Sequence, residues 1–162
     1  MQDAVVSAEL DKPSRYREIA AQIDAVGSEI DDEVALMATA ACLVHNAIPY
    51  ASWTGFYRVI GEGLLRVGPY QGPLGCLEIE FGKGVCGTVA ETRESLVVPD
   101  VDAFPGHIAC DEAARSEVVV PVFRTAGGLF AVLDVDSRLP AAFDDDDRAG
   151  LEAVAEVLKR RL

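Results

Sequence analysis

Two neighbouring runs constrain this chain more than any others. Glu117–Phe123 (EVVVPVF) and Leu129–Val135 (LFAVLDV) are mostly β-branched and apolar, and Gly127-Gly128 separates them. Such residues suit the pleated, half-buried surface of a sheet, and paired glycines suit a tight turn. The chain must therefore build an antiparallel sheet, and the rest of it must cover that sheet.

The preceding segments supply further strands. Ser52–Ile60 (SWTGFYRVI) is aromatic and β-branched. Gly61-Glu62-Gly63 turns it into Leu64–Val67, and Pro69 to Gly75 reads as a loop. Leu77–Phe81 alternates apolar and acidic residues, as a half-buried strand does. Leu96–Pro99 is a short strand. Residues 100–115 form a long irregular connection, with one helical turn expected at Asp111–Ala114 and a functional role expected for the whole.

Helices flank the strands. Ser14 caps a helix to Val26 with Ile19, Ile23 and Val26 on one face. Asp31 and Asp32 open a second, to Ala47, striped by Met37, Ala41, Val44 and Ile48. Cys42 in that helix reads as a small buried hydrophobe. A short helix spans Cys86–Arg93. The last helix, Asp144–Leu162, carries four aspartates in its first turn and Lys159, Arg160 and Arg161 in its last, matching the macrodipole. Leu151, Val154, Leu158 and Leu162 form its apolar stripe. Residues 1–12 read as a loose or docked tail. The expectation is one α+β domain over 1–162, a central antiparallel sheet of about six strands with the N- and C-terminal helices packed on it. The terminal stripes either cover that sheet or support a homodimer.

Composition excludes some partners. With 162 residues, half of them apolar, the chain can bury a full core. No apolar run approaches the ~18 residues of a membrane span, and no secretory pattern opens the sequence, so a cytoplasmic location is expected. A net charge of −13 argues against nucleic acid and anionic membranes as partners.

Three cysteines lie in segments rich in Gly and Pro: Cys76, Cys86 and Cys110. They are expected near the surface. In a cytosolic setting they point to thiol chemistry or metal binding more than to a disulfide scaffold. Cys110 precedes Asp111-Glu112-Ala113-Ala114, and the free N–H groups of a helix start would stabilise its thiolate; Asp111 and Glu112 would oppose this. Glu117, Asp134 and Asp136 are the acidic candidates, with Asp134 and Asp136 on one strand face. Clustered carboxylates raise one another's proton affinity, so one can donate a proton while another holds a cation. On residue type alone, an Asp-Val-Asp at a strand end more often faces water. Trp53 and Tyr57, four apart on a strand, share a face and make either a substrate wall or ordinary core. His107 is a base for the thiol or, more often in a loop, a structural group.

Taken in order over about residues 50 to 137, WTGFY, GPYQG, CLEIEFGKGVCGTVA, VVPDVDAFPGHIACD, SEVVVPV and AVLDVDS resemble a stand-alone GAF-domain protein of the free methionine-R-sulfoxide reductase family. Cys42 has no place in that pattern. The resemblance implies reduction of free L-methionine-R-sulfoxide, with no bound cofactor and a thioredoxin-type reductant as electron donor and partner. It implies Cys110 as the catalytic cysteine, Cys76 as the main resolving cysteine and Cys86 as an auxiliary one. It also implies that Glu117 and Asp136 polarise the sulfoxide, that Asp134 helps anchor the substrate, and that Trp53 and Tyr57 wall it. A Cys76–Cys110 disulfide would need Cα atoms about 4.4–6.8 Å apart. Two other readings stand beside this one. His107, Cys110, Cys76 and Cys86 have the ligand types of a Cys₃His zinc site, although no tight C-x₂₋₄-C pair is present. A GAF sensor would bind a small ligand without turnover.

Overall fold

Side-chain alternation sorts the sheet residues onto two faces. On the first strand, β1 (Trp53–Gly61), Trp53 and Tyr57 join one buried cluster while Phe56 joins the other. A computed structural model describes residues 6–7, 9–29, 31–108 and 110–162. After β1 come β2 (Leu64–Gln71), β3 (Glu78–Glu80), β4 (Leu96–Val98), β5 (Ser116–Phe123) and β6 (Leu129–Ser137). They form one antiparallel sheet ordered β3-β2-β1-β6-β5-β4. The hairpin of the two strongest runs, β5 and β6, lies inside the sheet, as their nearly continuous burial requires.

One face is covered by α1 (Lys12–Gly27), α2 (Glu33–Ala47) and α4 (Asp145–Lys159). Ile19, Ile23, Met37, Val44, Leu151, Val154 and Leu158 pack there against Phe56, Val118, Val120 and Leu133. The terminal stripes thus cover their own sheet. The other face carries α3 (Gly84–Thr92) and the long connection from β4 to β5. Among the described residues no helix is long and apolar enough to cross a membrane.

Several expectations need correction. Asp11, not Ser14, caps α1, its carboxylate accepting from the Ser14 N–H at 2.8 Å. Of the tail expected as loose or docked, Val6 is buried in the core, which agrees with the docked alternative, while residues 1–5 and 8 lie outside the described set. Cys42 is exposed, because it sits beside the Ala41–Val44 stripe rather than on it. The loop expected from Pro69 is strand as far as Gln71. Tyr70 pairs with Gly55 and Val67 with Tyr57, so Gly68 and Pro69 bulge opposite Phe56, where a missing N–H is tolerated. Asp111–Ala114 makes a hydrogen-bonded turn and no helix, with Ala114 N–H donating to the Asp111 carbonyl at 3.1 Å. A helix dipole at Cys110 is therefore absent.

Asp147 is the largest surprise on the helical face. It falls on the apolar stripe of α4 and is fully buried. Its carboxylate accepts from Tyr16 Oη at 2.9 Å, Tyr50 Oη at 2.5 Å and Lys12 Nζ at 2.6 Å. Asp144 completes a capping box with it.

Candidate active site

Strand register assembles the acidic cluster. Trp53 on β1 pairs with Asp136 on β6, and Asp136 pairs with Glu117 on β5. One step along, Asp134 lies between Gly55 and Val119. Glu117, Asp134 and Asp136 therefore share the face opposite α1, α2 and α4. Glu117 and Asp134 are 6% and 5% exposed, so they are not a solvated strand end.

Aromatic rings close one side. Trp53 stacks on Tyr57 at 5.6 Å between centroids and on Tyr70 at 5.3 Å. Gly55 makes this possible: a Cβ there would lie 2.6 Å from the Trp53 ring and 2.3 Å from Tyr70 Cβ. Tyr70 went unseen in the sequence because Pro69 reads as a strand breaker.

Helix α3 closes the other side. Cys86, in its first turn, is buried rather than near the surface, and its Sγ donates to Glu117 Oε1 at 3.8 Å. Ligand atoms of Cys86, Glu117 and Asp134 lie within 4.8 Å of one another. The Cys₃His set is not what the fold gathers: two of its four members, Cys76 and Cys110, are joined as a disulfide with Cα atoms 5.1 Å apart.

The disulfide sits over the carboxylates. Two small cavities, of about 30 and 20 Å³, flank Cys110, and Tyr57, Asp111, Asp134 and Asp136 line both. His107 lines the first. Among the described residues, Asp134 Oδ1, Asp111 Oδ2 and His107 Nδ1 are buried with no hydrogen-bond partner. The signal for Asp111 was its adjacency to Cys110, which the sequence offered only as an opposing charge.

Burial governs the protonation of this cluster. It pushes Glu117 well above the usual carboxylate range, and the charges of Asp134 and Asp136 add to the effect. Asp136 is raised in the same way, by burial first and then by Asp134 and Asp111. Burial pushes Asp134 up to about 7, against hydrogen bonds from Cys86 and Glu117 that pull it back. Burial, followed by Asp134 and Glu117, pushes the Cys86 thiol up. Near neutral pH the site thus holds carboxylic acids beside a carboxylate in equilibrium with its acid. Such a set can donate a proton to an oxygen and bind an ammonium group.

These shifts set a stability slope. Between an ordinary value near 3.8 and about 7, folded Asp134 keeps a proton that the unfolded chain has lost. Its stabilising contribution is complete below that window and is lost as pH rises through it. Thermal melts at pH 5.5 and 8 should show lower stability at the higher pH, and Asp134→Asn should shrink the difference. An undiminished difference in the variant would refute this origin.

Known proteins carry the same architecture. The GAF domain profile matches residues 29–162. The free methionine-R-sulfoxide reductase of Escherichia coli is 32% identical over 153 residues, covering 94% of this chain and 92% of that one. The chain belongs to the free methionine-R-sulfoxide reductase family. Another family member, from Saccharomyces cerevisiae, is 44% identical over 111 residues, covering 67% of this chain and 62% of the yeast protein. The solved free methionine-R-sulfoxide reductase of Neisseria meningitidis, in complex with its substrate, superposes with a TM-score of 0.89 at 42% identity, covering 94% of this chain and 90% of that one.

Proposed function

We propose that this chain reduces free L-methionine-R-sulfoxide to methionine, with Cys110 as nucleophile and Cys76 as resolving thiol. As a member of the reductase family it is an oxidoreductase acting on methionine sulfoxide. The observation that carries the residue assignment is the Cys76–Cys110 pair, at disulfide distance, with Cys110 lining the same cavity as buried Glu117 and Asp134 and half-buried Asp136.

The reaction needs a thiolate and an acid together. The Cys110 thiolate attacks the sulfoxide sulfur, while Glu117 and Asp136, both held protonated by burial, donate to the oxygen. The sulfur–oxygen bond breaks and the twice-protonated oxygen leaves as water; water then attacks Cys110 Sγ, the new sulfur–sulfur bond breaks with methionine as leaving group, and Cys110 becomes a sulfenic acid. Cys76 attacks that sulfur, forming the disulfide and expelling water. Asp134, with an unpartnered buried oxygen, binds the substrate ammonium. Trp53 and Tyr57 flank the methyl and methylene groups. A thioredoxin-type dithiol restores both thiols and closes the cycle.

The direct test is a thiol count and intact mass on fully reduced protein before and after free L-methionine-R-sulfoxide is added. Loss of two thiols with release of methionine, and no change with the S epimer, is the expected result. No change with either epimer would sink the proposal.

Cys86 is assigned a packing and hydrogen-bonding role beside Glu117. Cys86→Ser keeps a donor there, so steady-state turnover should stay within about fivefold of the parent, the worth of roughly one neutral hydrogen bond. Loss on the scale of a missing nucleophile would instead make Cys86 a participant in the thiol chemistry.

A further inference from the structure

The loop that carries Cys76 holds two leucines in water. Leu74 is 83% exposed and Leu77 76% exposed, one on each side of the disulfide in sequence. The loop is nonetheless firmly seated. Trp53 Nε1 donates to the Pro73 carbonyl at 3.1 Å, and Val67 N–H donates to the Leu77 carbonyl at 3.0 Å. Gly75 lies so close to Tyr57 Oη that a Cβ would sit 2.9 Å from it. The backbone thus presents these leucines outward by construction. Residues 72–77 (GPLGCL) carry no charge in a chain of net charge −13. Across the disulfide, Ile108 is also exposed, two residues before Cys110.

The two sulfurs face different surroundings. Cys110 lines both narrow cavities, among Asp111, Asp134 and Asp136. Neither cavity is wide enough to admit a thiol carried on another protein. Cys76 lines neither, and the exposed Leu77 and Leu74 lie one and two residues from it in the chain. A thiolate displaces one sulfur of a disulfide along the S–S axis, from the side away from the leaving sulfur. Residues 72–77 around Cys76 offer such an attacker an uncharged surface with two exposed leucines.

We propose that Leu74, Leu77 and Ile108 form a docking collar for a protein dithiol whose own reactive cysteine lies in an apolar, uncharged surface, and that its thiolate attacks Cys76 Sγ. This deepens the function proposed above and relies on it for the origin of the disulfide. The new bond joins the partner's sulfur to Cys76, and the Cys76–Cys110 bond breaks with Cys110 leaving as thiolate inside the site. The partner's second thiol then attacks its own first sulfur and releases Cys76. Two electrons and two protons pass from the partner dithiol, which ends as a disulfide.

The trap is thioredoxin with its second cysteine replaced by serine, mixed with the oxidised protein. Peptide mapping of the adduct should find it on Cys76, and an adduct on Cys110 would overturn the proposal. A second measurement tests the collar. In the L74S/L77S variant, disulfide reduction by intact thioredoxin should slow by about tenfold, since two contacts of leucine size are lost, whereas reduction by dithiothreitol should not change. An unchanged rate with thioredoxin, or an equal slowing with dithiothreitol, would overturn it. Methionine release from prereduced protein reports separately on the reductase reading, because no partner enters that step.

Discussion

Cys110→Ser should release essentially no methionine, with turnover at least about 10⁴-fold below the parent, as when other enzymes lose their nucleophile. A serine hydroxyl ionises far less readily than a thiol, and a sulfoxide sulfur is not attacked by a neutral hydroxyl. The informative contrast is Cys76→Ser. That variant keeps the nucleophile and the carboxylates, so one equivalent of methionine should appear in a single burst before turnover stops. The sulfenic acid left on Cys110 should then be captured by dimedone and seen as an adduct in the mass spectrum. Equal bursts from both variants would show that Cys110 is not the attacking thiol. Absence of a burst from Cys76→Ser, with a burst from Cys110→Ser, would exchange the two roles. A ligand sensor would be indifferent to either substitution, having no turnover to lose.

Asp147→Ala should destabilise the fold by about 3–5 kcal/mol, the usual cost of breaking a buried ion pair with its hydrogen bonds. The carboxylate satisfies Tyr16, Tyr50 and Lys12 together, and burial leaves no water to replace it. Lys12 feels burial as a penalty on its charge, yet Asp144 and Asp147 hold it protonated well above its ordinary range. The loss is a large share of the total stability of a domain this size and should lower the melting temperature by roughly 10 °C. Asp147→Asn, which keeps the shape, should recover part of it. The network lies on the opposite face of the sheet from the cysteines, so kcat of the folded variant at low temperature should match the parent. A shift in melting of less than about 3 °C would show that the tyrosines find other partners.

The sequence was most legible where one local pattern decided the outcome. Alternation along β5 and β6 was enough to set Asp134 and Asp136 on one face, and the pairing of those strands brought Glu117 to them. The buried stripes of α2 and α4 were readable for the same reason. The misses share a cause, namely a tertiary neighbour overriding a local rule. Four aspartates at a helix start satisfied the macrodipole, which hid that the fourth lies on the Leu151–Val154–Leu158 face and meets two tyrosines. Pro69 marked the end of a strand until the bulge opposite Phe56 accommodated it. Glycines around Cys86 suggested an exposed thiol, whereas they let the helix start approach the sheet closely: a Cβ on Gly87 would meet the Glu80 carbonyl at 2.3 Å. The family resemblance alone paired Cys76 with Cys110; their spacing of 34 residues carries no such information.

In the cycle proposed above, the bonded cysteines also act as a gate in time. With them joined, the space beside Cys110 holds no more than about two water molecules in its larger half, far less than an amino acid requires. In that cycle an oxidised molecule does not load its next substrate until the bond is reduced, and a loaded molecule has no bond for a reductant to cut. The two reactants never compete for one form of the protein: each arrives at a surface that the other's departure has just created.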